Sequence, residues 1–564
     1  IGPEVRDGIE PDGTQPDGTQ PDGTQPDGTQ PDVCAWNRLP RLVVGGLATP
    51  VVVLLVVFYG WPLVNLLVKV VHGTTIVDTW RIPGLGAVVW FTIWQAVVST
   101  VLTVAVGMLP AYVLARFRFR GRRAVLALVT VPFMLPTVVV GAAFIALLPA
   151  GWQGTARAIV LAHVFFNVAV VVRLVGGMWA VIPHDLTGAA RTLGATPWQV
   201  ARHVVIPLLR PSLWAAAMVV FLFTFTSFGV VTLLGGAARP TVEVEIARRA
   251  TQLGDIGGAA VLSVAQLIVL GVLVVIATRL QRRAAVALHG AAAPRRVRTM
   301  RERRLVAATC TITVVAIGAP LAALVRRSFD VGNGWSLTAW RGLGGTATQR
   351  GIRLGVDAWA SLGTSLRFAV VAALLSTVVG GLAALAITAA QRAGRLLDVA
   401  TMLPLGTSAV TIGFGMLITF DVAPFDWRAE WWLIPVGHAL VATPFVVRML
   451  VPALRSIPGD RRAAAATLGA SPLRAWLAID VRSMIRPLAA GSGFAAAISL
   501  GEFGATTFLT RSGNETLPIA VARLLGRPGE VSRAQGFAVA TILLVLTAAI
   551  LAAVDSRVRG DDRL

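Results

Sequence analysis

Residues Ile182–Leu213 read IPHDLTGAARTLGATPWQVARHVVIPLLRPSL, and residues Ile457–Leu488 read IPGDRRAAAATLGASPLRAWLAIDVRSMIRPL. At an offset of 275, Asp185 falls on Asp460 and Gly194-Ala195 on Gly469-Ala470. The same offset pairs His163 with His438, Arg173 with Arg448 and Phe228-Gly229 with Phe503-Gly504. Upstream, an offset of 273 sets Ala96-Val97-Val98 on Ala369-Val370-Val371 and Gly107 on Gly380. An offset of 272 sets Pro132 on Pro404 and Gly141 on Gly413. Shared apolar composition scatters identities, but it does not hold a nearly constant register over such a length. The chain is an internal repeat.

Outward from these loops the chain is apolar. Of its 564 residues, 55% are hydrophobic and 14% charged, against roughly a quarter charged in soluble domains. Twelve apolar runs are expected to span a bilayer, since about 20 such residues cross the hydrocarbon core. The first six are Leu42–Val70, Val88–Leu114, Ala124–Leu148, Ala158–Val175, Leu213–Leu234 and Ala259–Thr278. The second six are Leu305–Val325, Thr364–Ile387, Leu396–Phe420, Trp431–Val451, Leu488–Thr507 and Gly536–Val554. A single span satisfies its own backbone only as a helix, and these runs are too long for barrel strands. The expected fold class is an all-α polytopic membrane protein, two parallel six-helix repeats. The divisions are a tail at 1–40, a first half at 41–278, a basic linker at 279–304, a second half at 305–555 and a tail at 556–564.

The net charge is +22, and Lys69 is the single lysine. Arginine is concentrated in short segments between runs, above all ARFRFRGRR (Ala115–Arg123) and Arg279–Arg304. That is the signature of cytoplasmic loops, not of nucleic-acid binding. Both segments fall on one side if both termini are cytoplasmic, which implies a multi-pass protein of the cell membrane. The PDGTQ repeat from Pro11 to Gln30 has nothing apolar to bury and reads as a disordered tail, with no leader-like pattern before the first run. Cys34 and Cys310 lack metal-ligand spacing.

Each quoted loop reads as a short helix, a glycine stop and a second helix start. Gly194 suits the left-handed closing position, Thr196 the N-cap and Pro197 the first helical position. Gly469, Ser471 and Pro472 repeat the device, while Pro207 and Pro211 are expected to redirect the chain before it re-enters the membrane. A single amphipathic loop of this kind would suit the membrane surface. Two matched copies exposing Leu193 and Trp198 suit docking to a two-fold partner.

These loops resemble the EAA loop of permeases of type I ATP-binding-cassette importers, in which EAA and a later Gly precede an apolar–Pro end. Ala189-Ala190, Gly194-Ala195 and Ile206-Pro207 match in the first loop, Ala464-Ala465 and Gly469-Ala470 in the second. The two-copy form resembles the fused permeases of iron(III) and thiamine importers, as do FTSFGVVTLLGG (Phe225–Gly236) and SLGEFGATTFLT (Ser499–Thr510). The resemblance implies two copies of a separate ATPase docked on the loops, an extracytoplasmic solute-binding protein, the lipid bilayer as surroundings, and alternating access. Two departures stand out. The leading Glu is Gly188 in one loop and Ala463 in the other, leaving Asp185 and Asp460 as substitutes or as helix-start caps. In the second loop Val481-Arg482 replaces Ile206-Pro207, so that site is expected to be weaker or differently shaped.

With Lys69 the only lysine, and that in a span, no Gly-rich phosphate loop ending in Lys exists in the chain. ATP and Mg therefore belong to the partner, and no catalytic residue, resident cofactor or metal is expected here. Intramembrane ionisable groups are candidates for a solute pathway. Glu502 is the clearest, with Phe503 beside it and Ser227 and Phe228 as repeat mates. A carboxylate there suits a cationic solute; it suits helix–helix hydrogen bonding equally. His163, His438 and Asn167 read as helix–helix hydrogen bonds. The runner-up is an ion-coupled carrier of six plus six helices, which would usually show several intramembrane acids. A membrane enzyme would need a reactive cluster, and a receptor or scaffold would not explain matched docking loops.

Overall fold

The computed structural model describes residues 41–559, apart from 73–77, 80, 285–293, 333, 345–347, 350–351, 354–355, 391, 423 and 512. The expectations for the PDGTQ tail and Cys34 lie outside the described residues. Among those described, nine helices are long and apolar enough to cross a membrane, or up to eleven if each of two bent pairs is one span. The first half contributes Val43–His72, Leu85–Arg116, Ala156–Val181, Pro197–Phe225 and Ile256–Ile276. The second contributes Met300–Arg327, Ala358–Ala389, Leu433–Arg455 and Glu530–Val554. Arg482–Gly501, the Gly- and Ser-bearing counterpart of the fourth helix, stands apart from these nine.

The third and ninth apolar runs, each expected as a single span, are sharply bent. Arg122–Met134 meets Thr137–Leu147 at 103°, and Ala393–Gly406 meets Ala409–Thr419 at 95°. In the first bend Leu135 is extended (ψ 145°), as the residue before a proline is pushed to be. In the second, Ser408 takes the place of Pro136 and accepts a hydrogen bond from the Val410 amide at 3.1 Å, opening the next helix as a cap. The fifth and eleventh runs are broken too. Helices ending at Phe225 and Gly501 give way to the short helices Gly229–Leu234 and Gly504–Leu509.

The repeat register reappears as equivalent contacts. A Cβ on Gly107 would lie 2.7 Å from Val171 Cβ, and one on Gly380 would lie 2.9 Å from Val446 Cβ. Each glycine lets two long helices approach closely, the usual route to packing where no water drives burial. The Val242 amide donates to Thr92 Oγ1 at 3.0 Å, and the Leu517 amide donates to Ser365 Oγ at 2.7 Å. Both bonds anchor a short helix, Val242–Arg248 or Leu517–Leu525, to the second long helix of its half.

The halves also exchange their first helices. Arg41–Leu55 packs on Ala358–Ala389, Trp61–His72 packs on Ala409–Thr419, and Met300–Arg327 packs on Thr137–Leu147. Tyr59 hydroxyl and Thr407 Oγ1 are 2.6 Å apart, and Asn65 Nδ2 donates to Thr419 Oγ1 at 3.1 Å. At one end, Phe117–Arg118 pairs in parallel with Arg295–Arg296, so the two arginine-rich segments share one side.

The glycine contacts predict a clear contrast. Gly107→Ala and Gly380→Ala each overpack a helix crossing and should cost roughly 1–3 kcal/mol. Gly271→Ala, where a Cβ meets nothing within 4 Å, should not destabilise. Thermal unfolding in detergent checks this; equal midpoints for all three variants would contradict the packing.

Candidate functional sites: two matched loops and a broken-helix centre

In the first loop the helix His184–Thr192 starts after Pro183 and carries Asp185 in its first turn. Gly194 closes it at φ +82°, with the Gly194 amide donating to Arg191 O and the Ala195 amide to Ala190 O. An L side chain rarely adopts that conformation, which is why glycine stands there. Thr196 then forms a capping box: its Oγ1 accepts from the Gln199 amide at 3.3 Å, and Gln199 Oε1 accepts from the Thr196 amide at 2.8 Å. Pro197 occupies the first helical position.

The second loop repeats the build. Gly459–Thr467 carries Asp460 in its first turn, Gly469 closes at φ +76°, and Ala470 donates to Ala465 O. Pro472 opens the next helix, with the Arg474 amide bonded to Ser471 Oγ at 3.4 Å. Val200 and Ala475, a repeat pair, are each 5% exposed and seat the loop. The repeat mates Leu193 and Leu468 are each 87% exposed, and Trp198 is 67% exposed. Apolar tips held out in water on rigid turns need a partner surface.

One expectation fails here. Pro207 and Pro211 do not redirect the chain: Pro197–Phe225 is one 29-residue helix. A wide turn at Ala201–Val205, matched by Trp476–Val481 in the second half, shifts the hydrogen-bond ladder just before Pro207. The missing proline amide is thus absorbed without a break. Asp185 and Asp460 are exposed, and Pro183 and Pro458, not these acids, hold the capping positions. Ala189 and Ala464 are exposed while Ala190 and Ala465 are half-buried, and a Cβ at Gly188 would meet nothing within 4 Å. The place of the absent Glu therefore faces solvent.

The pathway candidates meet where the helices break. Phe228 and Phe503, repeat mates from opposite halves, stack with centroids 5.1 Å apart and planes at 25°. They line a cavity of about 500 Å³ together with the repeat mates Thr232 and Thr507 and with Arg248 and Gln252. Its wall is a charge network that the sequence reading did not single out. Buried Glu245 takes both Arg248 and Arg249, at 2.8–2.9 Å, and Arg249 reaches Asp255 at 2.6 Å. Beside it Glu243, 1% exposed, accepts from Gln266 Nε2 at 2.8 Å. Only the short acidic stretch VEVEIARR, between two apolar runs, hinted at it.

Glu502 is partly buried, and its Oε1 accepts the Ala505 amide at 3.0 Å, capping Gly504–Leu509. Ser227 Oγ lies 2.8 Å from His163 Nε2, whose Nδ1 is 3.3 Å from Ser99 Oγ. His438 is placed likewise, 2.8 Å from both Ser499 Oγ and Thr506 Oγ1. Asn167 Nδ2 donates to the His163 carbonyl at 3.0 Å. Among the described residues no group of three or more His, Cys, Asp or Glu gathers as metal ligands would.

If the loops are built on these left-handed glycines, Gly194→Ala and Gly469→Ala should each strain the turn by about 1–2 kcal/mol. Limited proteolysis should then cut faster within 182–213 and 457–488, and unchanged cutting would contradict the geometry.

The family profile described as "Binding-protein-dependent transport system inner membrane component" matches residues 103–286. The chain is 27% identical over 514 residues to the thiamine transport system permease protein ThiP of Escherichia coli (strain K12), covering 86% of this chain and 91% of that one. It is 29% identical over 493 residues to the protein of the same name from Brucella abortus (strain 2308), covering 82% and 86%. Over 158 residues, 26% of this chain and 57% of the other, it is 34% identical to the sulfate transport system permease protein CysT of Escherichia coli (strain K12). With two matched loops, a repeated helix framework and relatives spanning both halves, the chain resembles the fused two-repeat permeases of type I ATP-binding-cassette importers, the thiamine transport permeases above all.

Proposed function

We propose that this permease forms the path by which a small solute of the thiamine class enters the cell, handed over by an extracytoplasmic solute-binding protein and driven by two copies of a separate ATPase. The observation that carries the reading is the pair of exposed leucines, Leu193 and Leu468, at one offset on two turns closed by a left-handed glycine. ATP and Mg are bound and used by the ATPase. Both termini and both loops face the cytoplasm, with the arginine-rich segments beside them. The iron(III) class is the less favoured cargo, since the Escherichia coli and Brucella abortus relatives that cover both halves are named for thiamine.

Mechanically, the loops act as handles. Each short helix is joined through its glycine turn to a helix that runs without interruption to the break before Phe228 or Phe503. A shift imposed at Leu193 or Leu468 is carried along a rigid rod to the ring that closes the cavity. The stacked phenylalanines are the closed barrier, and parting them connects the cavity with the opposite side. Glu502 holds the short helix after its ring in place, so its role is positional even where the solute is a cation.

The test is a complex of this chain with its cognate ATPase. Leu193→Asp with Leu468→Asp should abolish co-purification while the permease stays monodisperse, and either single change should weaken it by roughly tenfold or more, as loss of a buried interface anchor does. Retained ATPase binding in the double variant would overturn the docking role. Phe228→Ala with Phe503→Ala should admit thiamine without ATP; a tight bilayer would remove the barrier role.

A further inference from the structure

Where the paired strands Phe117–Arg118 and Arg295–Arg296 meet three helix ends, the structure holds a cavity of about 790 Å³ that the transport reading does not use. Four arginines line it: Arg118 and Arg120 from the first half, Arg296 and Arg303 from the linker and the helix start it leads into. No acid is in the lining, and none of the four has a side-chain ion pair among the described residues. The carboxylate on the adjoining helix start is spoken for: Glu302 is bound by Arg295 at 2.6 Å and accepts from the Arg298 and Thr299 amides. These contacts commit it to its own helix start.

The rest of the lining is apolar. Phe119, Val297 and Val306 belong to a small hydrophobic cluster with Val113 and Phe117, and Arg295 lies over the Phe117 ring at 4.6 Å. The position is equally informative. Leu85–Arg116 ends here, while Arg122–Met134 and Met300–Arg327 begin here, so the cavity sits at one edge of the apolar band. A guanidinium rim above an apolar wall at a bilayer edge matches one chemistry: a phosphate headgroup with acyl chains attached.

We infer that this cavity binds the phosphate of an anionic phospholipid, which bridges the first half to the linker and the second half. A soluble phosphate would use the arginines and leave the apolar wall without purpose. Because the site joins the two halves on the side of the loops, a bound headgroup clamps the linker end of both. The inference needs only the helix ends to lie at the membrane edge, so it stands or falls separately from the choice of cargo.

The experiment uses the full chain in detergent, with retention of phosphatidylglycerol against phosphatidylcholine of equal chain length read by native mass spectrometry. The wild type should retain phosphatidylglycerol preferentially. Replacing Arg118, Arg120, Arg296 and Arg303 by Gln should reduce that retention by two to three orders of magnitude, at roughly fivefold per arginine. Replacing Arg123, Arg298, Arg301 and Arg304, which are exposed on the same segments outside the cavity, should change it less than about twofold, because the net charge alone is not the site. Equal losses in the two variants, or no loss in the first, would overturn the site. A thermal shift from inorganic phosphate alone that matches that of phosphatidylglycerol would overturn the lipid assignment.

Discussion

A helix interrupted inside a bilayer leaves amides and carbonyls that water cannot reach, and the rest of this molecule depends on how those groups are met. Four interruptions lie among the described residues: two sharp bends and two breaks before short helices. The bend at Leu135-Pro136 rests on the proline, which has no amide to satisfy, and side chains serve the other three. Ser408 receives the Val410 amide, Glu502 receives the Ala505 amide, and His163 and His438 tie the broken regions to neighbouring helices through hydroxyls. Glycines then bring the pieces together: a Cβ on Gly141 would crowd Leu233, and one on Gly413 would crowd the Ala505 backbone. The breaks place two phenylalanines face to face between the halves. Without them the two rings would not meet, and the cavity they line would lose that wall.

The exchange of first helices makes the fused chain one body. Val43–His72 lies on the second half and Met300–Arg327 on the first. Neither half therefore buries its own framework alone, and movement of one is felt by the other. The loops, by contrast, hold Leu193 and Leu468 out in water, with Val200 and Ala475 buried behind them and Arg116 donating to the Ile182 carbonyl at the start of the first.

Much of this was legible in the residues. The offset between the halves appears in space as matching contacts, Gly107 on Val171 and Gly380 on Val446, because close helix crossings need a small residue at one position and little else. The loop turns were legible down to the cap, since Gly194, Thr196 and Pro197 each have one conformational use. The bends were less so. Leu135-Pro136 is a breaker, but its counterpart Ser408 signals nothing until its hydroxyl finds an amide. Hydropathy alone counted a bent run as straight, and it placed Pro207 outside a helix that in fact runs through it. Glu243 and Glu245 were hidden because a short acidic helix between two spans looks like any loop. Which half each first helix packs on leaves no trace in a repeat register.

The central claim is that an outside ATPase, gripping both loops, drives solute through this chain. The most direct measurement is thiamine uptake into proteoliposomes holding the permease–ATPase complex with the loaded solute-binding protein outside. The account predicts uptake that requires ATP on the loop side and rises with hydrolysis, with no response to an imposed ion gradient. Uptake that follows a proton or sodium gradient and ignores ATP would contradict it.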